Sequence, residues 1–220
     1  MNNSQSKTAA AGRLNPRKAP SQPRSSHTVE AILEGAAHIL EQRGLEGYST
    51  NAIAERAGVS IGSLYQYFPT KDAVTVALIE RERSDLVREA TQALALAQDD
   101  HRVALHQLIE IAVRYQLRRP ALAVLLDFEQ HRLSALMPAS GNGRAMHAAL
   151  ADFLKAGAAH FSADVVMAPD LAAADLMAIV SALTDAAGRR GGVDPVPLAA
   201  RIEAAVLGYL GSNGSATDAA

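Results

Sequence analysis

Cysteine and tryptophan are both absent from the 220 residues. Without cysteine there is no disulfide framework, thiolate nucleophile, Cys-ligated zinc or iron–sulfur cluster. Aromatic residues make up only 4%. No run of about 18 consecutive apolar residues occurs, so no membrane-crossing helix is expected. A Gly-rich phosphate loop, a Gly-x-Ser-x-Gly elbow and a His-Glu-x-x-His pair are also lacking. The expectation is therefore a protein with no catalytic residues, no metal and no cofactor. Residues 1–26 have no apolar core of the kind a secretory signal needs, and with the missing cysteine this points to a cytoplasmic protein. What is present suits a folded chain: 49% hydrophobic and 20% charged residues.

The formal net charge is −2, which argues against a generic polyanion binder. Its distribution is uneven. Residues 1–75 hold eight Lys/Arg against six Asp/Glu, and the remainder holds 13 against 17. Lys7, Arg13, Arg17, Lys18 and Arg24 stand in the first 26 residues with no acid among them. A basic leading end points to a nucleic-acid partner. This leader, with Pro16, Pro20 and Pro23 among small polar residues, is read as a disordered basic arm. Residues 211–220 read as a disordered tail.

Between these ends almost every segment has helical period. Val29, Ile32, Leu33, Ala36, Ile39 and Leu40 lie on one face of a helix over 28–43, which Gly44 can end in a left-handed conformation. Short helices follow over 50–57, capped by Ser49 or Thr50, and from Ser60 through Tyr67. Thr70 caps a long helix from Lys71 to about residue 97. Further helices are expected near 101–117, 121–136, 144–161, 170–188 and 196–210, separated by proline and glycine. The fold class is all-α with about nine helices and no internal repeat.

The segment Ser49 to Phe68 carries the function. Two short helices meet at Ala57-Gly58-Val59-Ser60. Gly58 permits positive φ, Val59 plugs the angle and Ser60 caps the second helix. This is a helix-turn-helix pattern, whose second helix lies in a DNA major groove. Leu64 and Phe68 face inward, while Tyr65, Gln66 and Tyr67 fan outward. Ile61, Gly62 and Ser63 are small or unbranched enough for close approach to bases. Lys71 opens the next helix, where its charge and the helix end both suit a phosphate.

With Ile32-Leu33, Gly44, Ser49-Thr50, Ile53-Ala54 and the run GVSIGSLYQYFPTKDAV, residues 29–78 resemble the DNA-binding domain of tetracycline-repressor (TetR) family regulators. The resemblance implies a homodimeric, all-helical repressor. It would bind a palindromic operator in double-stranded DNA and leave it on binding a small molecule. It implies phosphate contacts from Thr50, Tyr65, Tyr67 and Lys71. It places Asn51, Ile61 and Ser63 near bases, and Gly62 where the backbone comes close. Ser60 and Gln66 complete the expected DNA-facing set. The domains expected are the arm at 1–26, the helix-turn-helix domain at 27–75, an effector-binding and dimerisation domain at 76–210, and the tail.

The apolar faces Leu105/Leu108/Ile109/Ala112/Val113, Leu122/Leu125/Leu126 and Leu171/Leu176/Ile179/Val180/Leu183 are assigned to the second domain. The resemblance implies a dimer surface on the last two helices, where Ala172, Ala173, Ala174, Ala178, Ala182 and Ala186 would allow close packing. An unknown, mostly apolar effector is expected, with Tyr115, Phe128, His131 and Phe153 as candidate contacts. Arg114, Arg118, Asp127 and Glu129 are further candidate anchors. His106 and Glu110, like Asp127 and His131, are four apart on a helix face; such pairs serve as metal ligands, as acid/base pairs or as plain ion pairs. Two other functions fit the sequence: a DNA-binding regulator controlled by a partner protein, and an enzyme on an inherited regulator scaffold.

Overall fold

The computed structural model describes residues 23–96, 100–133 and 141–211. The described residues form ten α-helices and one short 3-10 turn. They are α1 (Pro23–Gly47), α2 (Thr50–Ala57), α3 (Ile61–Tyr67), α4 (Lys71–Leu96) and α5 (His101–Arg118). Then follow α6 (Pro120–Leu133), α7 (Gly141–Ala156), the turn Ala158–His160, α8 (Ala163–Met167), α9 (Pro169–Arg190) and α10 (Pro195–Leu210). The all-α expectation holds.

The caps explain most boundaries. Gly44 breaks α1 at φ 61. Ser49, Ser60 and Thr70 accept from the backbone N–H groups of Ala52, Ser63 and Ala73 at 3.2, 3.0 and 3.0 Å. Each satisfies a donor the helix start leaves unpaired. Helix α1 begins earlier than expected. It takes in Pro23–Ser26, assigned above to the arm, because proline loses nothing in the first helical turn. The rest of the arm and residues 212–220 lie outside the described residues.

The other differences lie downstream. The helix expected over 144–161 runs over Gly141–Ala156 instead. Just past its end the chain packs closely at Gly157, where an added Cβ would stand 2.3 Å from the His101 ring. The five-residue α8, which starts just after Ser162, is additional to the nine helices expected.

The chain divides into two compact units. Among described residues the first holds those up to Arg83 together with 121–133; the second holds Ser84–Pro120 and the residues from Gly141 onward. This revises the boundary expected at 75/76. Helix α6 belongs with the first unit because Leu122 and Leu126 are buried among Ile32, Leu40, Leu64, Phe68 and Leu78. Polar bonds reinforce that packing. Arg132 of α6 donates to Asp72 of α4 at 2.5 Å and to its own neighbour Glu129 at 2.6 Å. Glu129 is buried, and pairing with a guanidinium offsets its desolvation.

In the second unit, Leu105, Ile109 and Val113 of α5 share a core with Leu150 and Leu154 of α7, Leu176 of α9, and Leu198, Ile202 and Val206 of α10. Leu171, expected on the buried face of α9, is exposed instead. It sits in the first turn of the helix, one step off the stripe of Ala172, Ala173 and Leu176. Ala172 and Ala173 accordingly fill this chain's own core, while Ala174, Ala178 and Ala182 are exposed.

Candidate nucleic-acid interface

Helix α3 has one buried face and one open face. Leu64 and, just past its end, Phe68 are fully buried. They fix the helix on the core as two anchors one turn apart. Helix α2 is fixed likewise by Ile53 and Ala54. It crosses α1 closely at Gly35, where a Cβ would stand 3.2 Å from the Ala57 Cβ and the Ile53 carbonyl oxygen. The turn between α2 and α3 rests on Gly58, at φ 69 and ψ 27, a left-handed conformation that glycine adopts without the steric cost of a Cβ. Val59 is half-buried against the core, as its plugging role requires.

Most of the expected DNA-facing residues lie at the surface of this motif. Asn51, Ser60, Ile61, Gly62, Tyr65, Gln66 and Lys71 are exposed; Thr50, Ser63 and Tyr67 are half-buried. Ile61 is 38% and Tyr65 42% exposed. Tyr67, read as fanning outward, instead packs partly against the core. Two hydroxyl pairs stitch the surface. The Thr50 and Tyr65 hydroxyls are 3.1 Å apart and join α2 to α3. The Ser60 and Ser63 hydroxyls are 2.9 Å apart.

Lys71 opens α4 with its Nζ 5.5 Å from the centre of the Tyr48 ring, within cation–π range. Tyr48 is itself buried, and its hydroxyl donates to the Thr75 hydroxyl at 3.1 Å. Thr75 passes its own proton on to the Lys71 carbonyl oxygen. Burial drives the Tyr48 phenol pKa upward, so it stays a donor. Asp72 would place a negative charge next to Lys71, but Arg132 pairs with it. The positive end of α4 therefore faces outward with its nearest acid neutralised. Tyr48, Thr75 and Arg132 were not singled out in the sequence, because their partners lie 27 and 60 residues away along the chain.

The four candidate effector contacts do not gather in one unit. Tyr115 and Phe153 belong to the second unit, Phe128 and His131 to the first. Phe128 is 58% exposed. His131 is exposed, with its Nδ1 2.7 Å from the Asp127 backbone oxygen. Tyr115 donates to Glu89 at 2.9 Å, and Arg114 also bonds Glu89. Phe153 is buried against His101 and Phe161. His106 lies between two carboxylates, its Nδ1 3.1 Å from Glu203 and its Nε2 3.4 Å from Glu110. The two ring nitrogens address different carboxylates, which is the geometry of an ion-pair bridge. Among the described residues no group of three or more His, Asp or Glu side chains could hold a metal ion.

Fold and surface together define a helix-turn-helix domain. A family model described as bacterial regulatory proteins, tetR family, matches residues 32–78. Residues 32–78 are thus similar to the DNA-binding domain of the tetR family of bacterial regulatory proteins. It is 29% identical over 113 residues to the nucleoid occlusion factor SlmA of Pasteurella multocida, covering 48% of this chain and 56% of that one. It is 41% identical over 64 residues to the HTH-type transcriptional regulator EthR of Mycobacterium tuberculosis, covering 29% and 28%. Matches to the SlmA proteins thus span about half their length. Among solved structures, the fatty acid degradation regulator FadR from Bacillus halodurans has the same fold, with a TM-score of 0.70 at 18% identity over 86% of this chain and 96% of that one. A TetR-family transcriptional regulator from Streptomyces coelicolor aligns with a TM-score of 0.60 at 22% identity, covering 84% and 98%.

Proposed function

We propose that the chain is a homodimeric transcriptional repressor that binds a palindromic operator and leaves it on binding a small, mostly apolar molecule. One observation carries the DNA-binding reading: the outward side of α2, α3 and the start of α4 is exposed while Leu64 and Phe68 hold the inward side. On this reading Thr50, Tyr65, Tyr67 and Lys71 meet phosphates and set the register. Asn51, Ile61, Ser63 and Gln66 face base edges. Gly62 lets the backbone approach, and Ser60 caps the helix beside it. The protein acts on DNA in the cytoplasm and carries out no chemistry of its own.

The dimer is supported by α9 and α10. Helix α9 is long and apolar enough to cross a membrane by length and composition, with 28% of its most apolar stretch buried. Asp175, Ser181, Thr184 and Asp185 interrupt it, so the expectation of no uninterrupted apolar run stands. We assign the exposed remainder, Leu171, Ala174, Ala178 and Ala182, with Val196, Ala200 and Ala204 on α10, to contact with a second copy. Two-fold pairing there would set two recognition helices about 34–36 Å apart, one duplex turn. The effector would act in the second unit, with Tyr115 and Phe153 as its nearest candidate contacts. Helix α4 gives residues to both units and is the covalent path to Lys71.

Control by a partner protein is the second reading. The relatives named as nucleoid occlusion factors favour it. The test common to both is the mass of the complex formed by the full-length protein with a duplex selected from random-sequence DNA. Two protomers on a palindromic sequence are expected. One protomer on an asymmetric sequence would contradict the dimeric reading.

A further inference from the structure

The side chains of α3 limit which bases the motif can read. Between Ile61 and Tyr67 there is no Arg, Lys, Asp or Glu. The pairing of Arg or Lys with guanine O6 and N7, and of a carboxylate with the cytosine amine, are therefore both unavailable on this helix. The hydroxyls have prior engagements: Ser60 with Ser63, and Tyr65 with Thr50. Ile61 alone on the outward side has no hydrogen-bonding atom, and it is 38% exposed. Next to it, the side of Gly62 is open, with only the Ser60 Oγ within 4 Å of an added Cβ, at 3.8 Å. Nothing there keeps a base edge away from the isoleucine.

The major groove offers one apolar feature to such a side chain, the C5-methyl group of thymine. We infer that Ile61 is a specificity-determining residue that selects a thymine in each half-site by packing on its methyl group. This rests on the DNA-binding reading above and adds to it the identity of one base. Burying one methyl-sized group against the isoleucine corresponds to roughly a fourfold preference for thymine over the same base without its methyl.

The experiment uses the full-length protein and a palindromic duplex obtained by selection from random-sequence DNA. Each thymine is replaced in turn by deoxyuridine, symmetrically in both half-sites, at fixed salt. This removes a methyl and leaves every hydrogen-bonding atom in place. For the unaltered protein, one replacement is expected to weaken binding about fourfold per half-site. For Ile61→Ala the same replacement is expected to change binding less than twofold. Ile61 is exposed, so the variant retains its fold, and its thermal unfolding midpoint serves as the control. A methyl effect of the same size in Ile61→Ala would overturn the assignment to this residue. A selected half-site with no methyl-sensitive thymine would overturn the inference and leave the DNA-binding reading standing. Failure to select any sequence would overturn that reading, and this inference with it.

Discussion

The hydroxyl groups of Thr50 and Tyr65 lie 3.1 Å apart, one from each helix of the DNA-binding motif. The pair therefore works as one element. One hydroxyl donates to the other, so the pair has one proton left to offer a phosphate.

Tyr65→Phe removes one hydroxyl from an exposed position. Stability should change by less than about 0.5 kcal/mol. DNA affinity should fall roughly tenfold, because a hydrogen bond to a charged oxygen is lost. The loss should be similar for every sequence tested. Thr50→Val should weaken binding less in the Tyr65→Phe background than in the unaltered protein, since the two act together. Fluorescence anisotropy on a double-mutant cycle measures this; strict additivity would contradict a shared contact.

The bond between Tyr48 and Thr75 is directional, and the two deletions should differ. Tyr48 donates, and Thr75 donates onward to the Lys71 carbonyl oxygen. Thr75→Val leaves the buried Tyr48 hydroxyl without its acceptor and should cost about 1–3 kcal/mol. Tyr48→Phe removes the donor and leaves Thr75 its bond to Lys71, so it should cost less. Urea unfolding of the two variants gives the comparison. Equal costs would contradict the proton arrangement.

His106 predicts a pH dependence in the second unit. Its pKa is raised above 6.5, first by the hydrogen bond to Glu203; desolvation opposes this, and the charges of Glu203 and Glu110 add to the rise. Because the folded pKa exceeds the unfolded one, the contribution is fully present below about pH 6.5 and is lost as pH rises through the folded pKa. The residue is exposed, so solvent screening keeps the effect small. Glu203→Gln should flatten the change in thermal midpoint between about pH 5 and 8.5. An unchanged profile would contradict the bridge between α5 and α10.

Local signals in the sequence carried far, and distant ones did not. Gly44, Gly58, Ser49, Ser60 and Thr70 could be placed because each acts on its immediate neighbours, through positive φ or a cap. Leu64 and Phe68 could be placed because helical period assigns them one face. The α8 helix went unseen because five residues are too few to show a period. The close approach of the His101 ring to Gly157 went unseen because that ring comes from another helix. The membership of α6 in the first unit depends on Leu122, Leu126 and Arg132 meeting partners far off in sequence. Glu203, the stronger partner of His106, lies 97 residues away, whereas Glu110 sits one helical turn away and was visible. The residues expected to face DNA were legible because they are nearly continuous in sequence. An effector site would be built from separate helices and would leave no such trace.

We propose that the motif reads sequence through the outward side of α2 and α3. The most direct test is selection of genomic DNA fragments by the purified full-length protein at near-physiological salt, in parallel with Tyr65→Ala. The unaltered protein is expected to enrich a palindromic motif, and Tyr65→Ala to fall to background. Salt-sensitive retention of DNA without a shared sequence, equal for both proteins, would contradict it, since phosphate attraction alone would then account for the binding.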